Sequence, residues 1–191
     1  MRTLATFLAL TALGAATAGA QATPAGAPAN APAAAAPAIG DLAPDFSAAA
    51  VDGSGAAPST VKLSALRGKV VVVAFYPLDR SSGCTAELTK FRDDYKTLFG
   101  DGVVVLPISI DTIESHASWA KEMKFPFALV SDPTQEIAKR YGSTMAGRKF
   151  DARTVFVIGK DGKVVFSNLK FGALSEDAYK ELAAVVAKAK S

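Results

Sequence analysis

The chain predicts a layered α/β domain in which strands alternate with helices and an antiparallel hairpin and a last helix close the fold. Three observations carry this. In the segment Lys69 to Tyr76, everything after the lysine is an unbroken apolar run rich in valine, the mark of a strand buried on both faces in the middle of a helix-covered sheet. A second such run, Val103 to Ile110, follows after about one helix length, and a third, Thr154 to Ile158, comes late in the chain. Between the runs, apolar residues recur at helical spacing.

In order, the run 69–76 is followed by Leu88, Phe91, Tyr95, Leu98 and Phe99 on one helical face, with Gly100 as the stop. The run 103–110 contains Pro107, which must sit where no ladder donor is needed. Asp111-Thr112-Ile113-Glu114 resembles a capping box opening a helix with Ala117, Ala120 and Met123 on one face. Phe127 to Val130 is a shorter strand. Asp132-Pro133-Thr134-Gln135 then supplies a capping Asp and a first-turn Pro for a helix through Ile137 and Tyr141. The run 154–158 is joined by Lys160-Asp161-Gly162 to Lys163–Ser167, a hairpin signal. Ser175 opens the last helix, with Tyr179, Leu182, Ala183 and Val186 facing inward. This order makes the early strands parallel and the late hairpin antiparallel. No internal repeat is present.

Of the 191 residues, half are apolar and 20% charged, enough for one domain with a sizeable core. The net charge of +3 includes no Lys/Arg cluster, so a nucleic-acid or acidic-lipid partner has no electrostatic footprint. Residues 1–22 read as a signal peptide: a basic start at Arg2, an apolar stretch from Leu4 to Ala16, and small residues that allow cleavage after Ala20 or Ala22. The stretch is shorter than the roughly 20 residues of a membrane span, so no stable insertion is expected after cleavage. Residues 23–38, an Ala/Pro-rich segment without charge or large apolar side chains, read as a disordered tether. The domain then covers 39–191. The expected location is exported, periplasmic or secreted.

The chain has one cysteine, Cys84, so no internal disulfide can form. A lone thiol in an oxidising compartment is either a small buried apolar residue or a reactive group. Its position favours reactivity. Cys84 ends the segment from Tyr76 to Gly83, between the central strand and the first long helix, where layered α/β folds bind ligands. A helix start presents unpaired N–H groups and the positive dipole end, and such placement can lower a thiol pKa from about 8.5 to between about 3.5 and 7.5. Gly83 lets the backbone approach a small ligand, and the Ser81 and Ser82 hydroxyls can cap the helix or donate to the sulfur.

Pro77-x3-Ser81-x2-Cys84 resembles the peroxiredoxin active-site motif, Pro-x3-Thr/Ser-x2-Cys. The stretch from Phe75 to Tyr95 resembles the peroxiredoxin Q or bacterioferritin comigratory protein group. The resemblance extends through Gly40–Phe46, Leu63–Lys69, Asp111–His116, Phe127–Pro133 and Ala152–Ile158, essentially the whole domain in order. It implies a thioredoxin-like fold, a central mixed sheet flanked by helices with N-terminal additions, and no cofactor. It implies that Cys84 is the peroxidatic thiolate, that Ser81 holds the peroxide, that Arg153 lowers the thiol pKa and stabilises the departing oxygen, and that Pro77 shields the site. The backbone amides of Cys84 and Gly83 complete the donors, with Ser82 and Glu87 in support. Breaking O–O needs a thiolate and fixed donors where negative charge grows, which is what these residue types supply.

Four positions depart from the group. Ser81 replaces the commoner Thr, keeping the hydroxyl without the methyl that restricts its rotamer. Ser82 replaces a usual Pro, and Arg80 adds a positive charge in the motif. Thr89 stands where many members carry a resolving cysteine. The expected chemistry is therefore a one-cysteine mechanism, with a peroxide substrate and an external thiol or dithiol protein as reductant. Monomer and dimer both remain open.

Other residues are not assigned to the chemistry. His116, the only histidine, has no companions for a zinc site and reads as surface or packing. Trp119 reads as packing. Arg148 is close to Arg153, but the place directly before the strand 154–158 selects Arg153. A disulfide reductase on the same fold needs a second thiol, which Cys84-Thr85-Ala86-Glu87 lacks. The alternative outside enzymes is a redox-inactive thioredoxin-like domain that binds or scaffolds at the envelope.

Overall fold

The computed structural model describes residues 35–54 and 56–191. The expected signal peptide and the tether up to residue 34 lie outside the described residues. Seven strands form one mixed sheet in the order β2-β1-β5-β4-β3-β6-β7. The elements are β1 (Ser47–Val51), β2 (Ser59–Lys62), a 3-10 turn (Leu63–Leu66), β3 (Val71–Phe75), α1 (Ser82–Asp93), α2 (Tyr95–Leu98), β4 (Val104–Ser109), α3 (Ile113–Met123), β5 (Leu129–Ser131), α4 (Glu136–Arg140), β6 (Thr154–Ile158), β7 (Val164–Asn168) and α5 (Glu176–Lys190).

The valine run forms β3, parallel to β4 on one side and antiparallel to β6 on the other. Its side chains alternate between two cores, as a period of two requires. Val72, Ala74 and Tyr76 join Leu88, Phe91, Trp119 and Tyr179 on the face covered by α1, α3 and α5. Val71, Val73 and Phe75 join Ile137, Tyr141 and Phe156 on the face covered by α4 and the 3-10 turn. Each face removes a contiguous apolar area from water, and this burial is the main force holding the sheet between its helices. β3, β4 and β5 are parallel, and the hairpin β6–β7 is antiparallel, with Gly162 at φ +76° in its turn.

Pro107 is accommodated by alternation. Val104 N–H donates to Val70 O and Ile108 O accepts from Tyr76 N–H, so even-numbered positions of β4 face β3. The Pro107 nitrogen therefore faces β5, where pairing begins only at Ile108.

Several elements differ from the sequence reading. β1 and β2, an antiparallel pair added beside β5, stand where the resemblance implies N-terminal additions, but no local pattern reads as a strand there. Ser47-Ala-Ala-Ala-Val51 has no β-branched run, and β2 is a short, largely exposed edge. The first helix ends at Asp93, and a separate turn of helix carries Leu98. Thr112, not Asp111, caps α3, its hydroxyl accepting from Ser115 N–H. Asp132 caps α4 from four to six residues ahead, accepting from the amides of Glu136, Ile137 and Ala138 at 2.9 Å, while Gln135 adopts a left-handed conformation. The last residues of the expected tether, 35–38, are among those described, and Ala36 packs on the α4-side core.

One register places the site. Phe75, the last residue of β3, pairs with Thr154, the first of β6. Antiparallel pairing thus sets Arg153 beside the end of β3, where the chain turns through residues 76–81 into α1.

Candidate active site

Cys84 is the third residue of α1 and is buried, 0% exposed, in the core on that face of the sheet. The first intrahelical bond runs from Thr85 N–H to Ser81 O at 2.8 Å. The amides of Ser82, Gly83 and Cys84 precede it, so they have no acceptor within the helix and form its positive end. Cys84 is the last of these three residues.

Arg153 reaches the sulfur from the neighbouring strand. Its Nη2 donates to Cys84 Sγ at 3.3 Å, and its Nη1 pairs with Glu87 Oε2, one turn along α1. Glu87 is fully buried and its Oε1 has no partner among the described residues. Burial pushes the Glu87 carboxyl up to about 7, although Arg153 draws it down by charge and hydrogen bond. Burial alone would lower Arg153, but Glu87 and the Cys84 sulfur outweigh this and raise it above its ordinary value. The guanidinium therefore stays charged, and Glu87 is the member of the pair that titrates. Glu87 thus anchors Arg153.

Gly83 lies against the same guanidinium. A Cβ there would stand 3.1 Å from Arg153 Nη2, tighter than an ordinary contact. The absent side chain is what lets Arg153 lie across the start of α1 to the sulfur. Arg148, by contrast, stacks over Phe150 at 5.6 Å from the ring centroid.

The serines are placed differently from expectation. Ser81 is the residue before α1, but its hydroxyl donates to Leu78 O at 3.1 Å and caps no amide. Ser82 is exposed and makes no side-chain hydrogen bond among the described residues. Pro77 is partly buried at the start of the turn. Arg80 takes a left-handed backbone at φ +59°, and its guanidinium reaches Ser118 and Glu122 on α3, at 3.0 and 3.3 Å, rather than the thiol.

Sequence reasoning missed the group that holds this turn. Asp79 accepts from Tyr76 Oη at 2.8 Å, Ser115 Oγ at 2.7 Å and His116 Nδ1 at 3.0 Å. Its own amide donates to Asp111 Oδ2 at 2.9 Å, and Ser109 Oγ donates to the same oxygen at 2.7 Å. Burial alone would push the Asp79 carboxyl up, but donors from His116, Ser115 and Tyr76 outweigh it and hold it below the usual range. His116 is neither a surface residue nor mere packing: it is fully buried and bonded at both ring nitrogens, Nε2 lying 3.2 Å from Val130 O. Trp119 is buried beside it, in edge contact with Phe125 at 5.2 Å. The signal was an Asp five residues before the cysteine and the lone His, separated by 37 residues and joined only by the fold.

A mixed thioredoxin-like sheet with a buried thiol at a helix start, gripped by an arginine, defines a thiol-based oxidoreductase. Residues 39–167 match the model of the AhpC/TSA family, and the chain belongs to that family. It is 35% identical to the putative peroxiredoxin bcp of Coxiella burnetii over 132 residues, 66% of this chain and 84% of that protein. It is 41% identical to the chloroplastic peroxiredoxin Q of Sedum lineare over 112 residues, 56% of this chain and 60% of that protein, so it spans less than two-thirds of the plant protein's length. The crystal structure of reduced Plasmodium vivax 2-Cys peroxiredoxin matches with a TM-score of 0.68 at 26% identity, over 77% of this chain and 79% of that one.

Proposed function

We propose that this protein is a thiol-dependent peroxidase that reduces hydrogen peroxide or organic hydroperoxides through Cys84 alone. The observation that carries the reading is the 3.3 Å contact between Arg153 Nη2 and Cys84 Sγ at the positive end of α1. The guanidinium at the sulfur, with the unpaired amides of the helix start, supplies donors where negative charge grows on the departing oxygen. The thiolate attacks one oxygen of ROOH, an S–O bond forms as O–O breaks, and RO⁻ takes a proton to leave as ROH. The product is Cys84 sulfenic acid. With no second cysteine, an external thiol attacks it, releasing water and leaving a mixed disulfide, and a second thiol then restores Cys84. Because Cys84 is fully covered, a thiol of any bulk reaches its sulfenate only after the turn 76–81 and the first turn of α1 move aside.

Mass spectrometry after one equivalent of peroxide tests the reading. A single added oxygen on Cys84, converted by a small thiol to a mixed disulfide and by excess thiol back to the free form, is the expected course. Cys84 left unmodified would overturn it and favour the redox-inactive scaffold, which the intact Cys84–Arg153–Glu87 arrangement otherwise argues against.

Export to the periplasm or beyond belongs to the same proposal, supported by the basic start, apolar stretch and small residues of 1–22. N-terminal sequencing of the protein recovered from fractionated cells is expected to begin at Gln21 or Thr23. A retained Met1 in the cytoplasmic fraction would overturn that part.

A further inference from the structure

His116 offers an inference beyond the residues already placed in the chemistry. Both of its ring nitrogens face acceptors: Nδ1 lies 3.1 and 3.0 Å from the two Asp79 carboxylate oxygens, and Nε2 lies 3.2 Å from the Val130 carbonyl. The imidazole thus bridges the active-site turn and β5 through its two nitrogens. The pair is buried on both sides, with side-chain exposures of 0% and 3%, so its geometry is not loosened by water.

We propose that His116 is a positioning residue for the Cys84 reaction: clamped between Asp79 and Val130, it locks the turn 77–81 that leads into the helix of the thiol. The load path is short. Asp79 stands in the middle of that turn, between Pro77 and Ser81, and five residues before Cys84. Val130 belongs to β5 and His116 to α3, both fixed parts of the frame. The clamp therefore ties the active-site turn to α3 and β5 through hydrogen bonds, the one to the Asp79 carboxylate stronger than a bond between neutral groups. Asp79 faces His116 from the turn, the Tyr76 phenol from the end of β3 at 6.4 Å between rings, and Asp111 acts one step away through the Asp79 amide. Arg80, the nearest other cation on the turn, is directed to Glu122.

The inference rests on the peroxidase reading, and it divides that reaction into two steps with opposite demands. Attack on a small peroxide needs the turn held in place. Attack of an external thiol on the sulfenate needs it open. Releasing the clamp slows the first step and leaves the second unslowed or faster, a split that general loss of stability does not produce.

Amide hydrogen exchange and single-turnover kinetics of the full chain test this together. The Asp79 amide is expected to exchange with solvent at least about tenfold faster in His116→Asn than in the wild type. In His116→Asn the rate of sulfenate formation is expected to fall at least tenfold, while reduction of the preformed sulfenate by a bulky thiol is not slowed. Asp79→Asn, which keeps the turn's size but removes the anion, is expected to give the same split. Unchanged exchange of the Asp79 amide in His116→Asn overturns the proposal, as do variants in which the two steps fall by equal factors or neither changes. A wild type that forms no sulfenate at all contradicts the peroxidase reading instead, and the exchange result still decides the clamp.

Discussion

Arg153 Nη2 lies 3.3 Å from Cys84 Sγ although the two residues are 69 positions apart. They meet because Phe75 pairs with Thr154, which puts the residue before β6 beside the turn that follows β3. The chemistry depends on that one register.

Arg153→Ala removes the donor to the sulfur and strands Glu87 in the core. The rate of peroxide consumption at fixed thiol concentration is expected to fall about 100- to 1,000-fold, the scale for losing one preorganised donor. Arg153→Lys keeps the charge without the fork that spans sulfur and carboxyl, and its rate should lie between.

Gly83→Ala separates stability from activity. Alanine favours a helix over glycine by up to about 1 kcal/mol, so α1 should gain or keep stability. The added Cβ, however, would sit 3.1 Å from Arg153 Nη2 and must move it by a few tenths of an ångström. The expected variant unfolds no earlier than the wild type in a thermal melt and reacts more slowly with peroxide, by less than roughly 100-fold.

Two buried carboxyls set the pH dependence of stability. Burial pushes both Glu87 and Asp151 up to about 7, and Asp151 Oδ2 has no partner among the described residues. A carboxyl whose folded-state value is raised holds its proton more tightly when folded. Its contribution is full below about pH 4 and is lost as the pH rises through about 7. Thermal stability should therefore fall between pH 5 and pH 8. Asp151→Asn keeps an acceptor for Gln135, whose Nε2 donates to Oδ1 at 2.8 Å, and is expected to flatten that fall. The difference at pH 8 should be roughly 1–3 kcal/mol, the cost of an unsatisfied buried polar group. A slope unchanged in Asp151→Asn would assign the effect to Glu87 alone.

Ser81 tests the local geometry of the turn. Its hydroxyl donates to Leu78 O at 3.1 Å, so Ser81→Ala loses both a turn bond and a donor near the thiol. Ser81→Thr keeps the hydroxyl and restricts χ1. Steady-state kinetics should show a higher KM and lower kcat for the Ala variant, and no loss for the Thr variant.

What the sequence made legible was what local pattern encodes. The valine run gave β3 and both its faces, the Asp-Gly turn gave the β6–β7 hairpin, and the segment before Cys84 gave the helix start. β1 was not legible because its alanines favour a helix and it becomes a strand only by pairing with β5. The Asp79–His116 clamp was not legible because it joins a turn to a distant helix through a strand carbonyl, and no spacing in the chain records that. Arg80 was misplaced for a related reason: its left-handed backbone turns the side chain away from the thiol that its position in the motif suggests.

The most direct test of the central claim is stopped-flow oxidation of the reduced full chain by hydrogen peroxide. The fluorescence of Trp119, the only tryptophan, 6.1 Å from the Tyr76 ring at the head of the active-site turn, reports the reaction. A fast phase at least about 100-fold quicker than a free small-molecule thiolate at the same pH, absent in Cys84→Ser and much slower in Arg153→Ala, is the predicted result. A wild-type rate equal to that of the free thiolate, or one untouched by Arg153→Ala, would contradict the account.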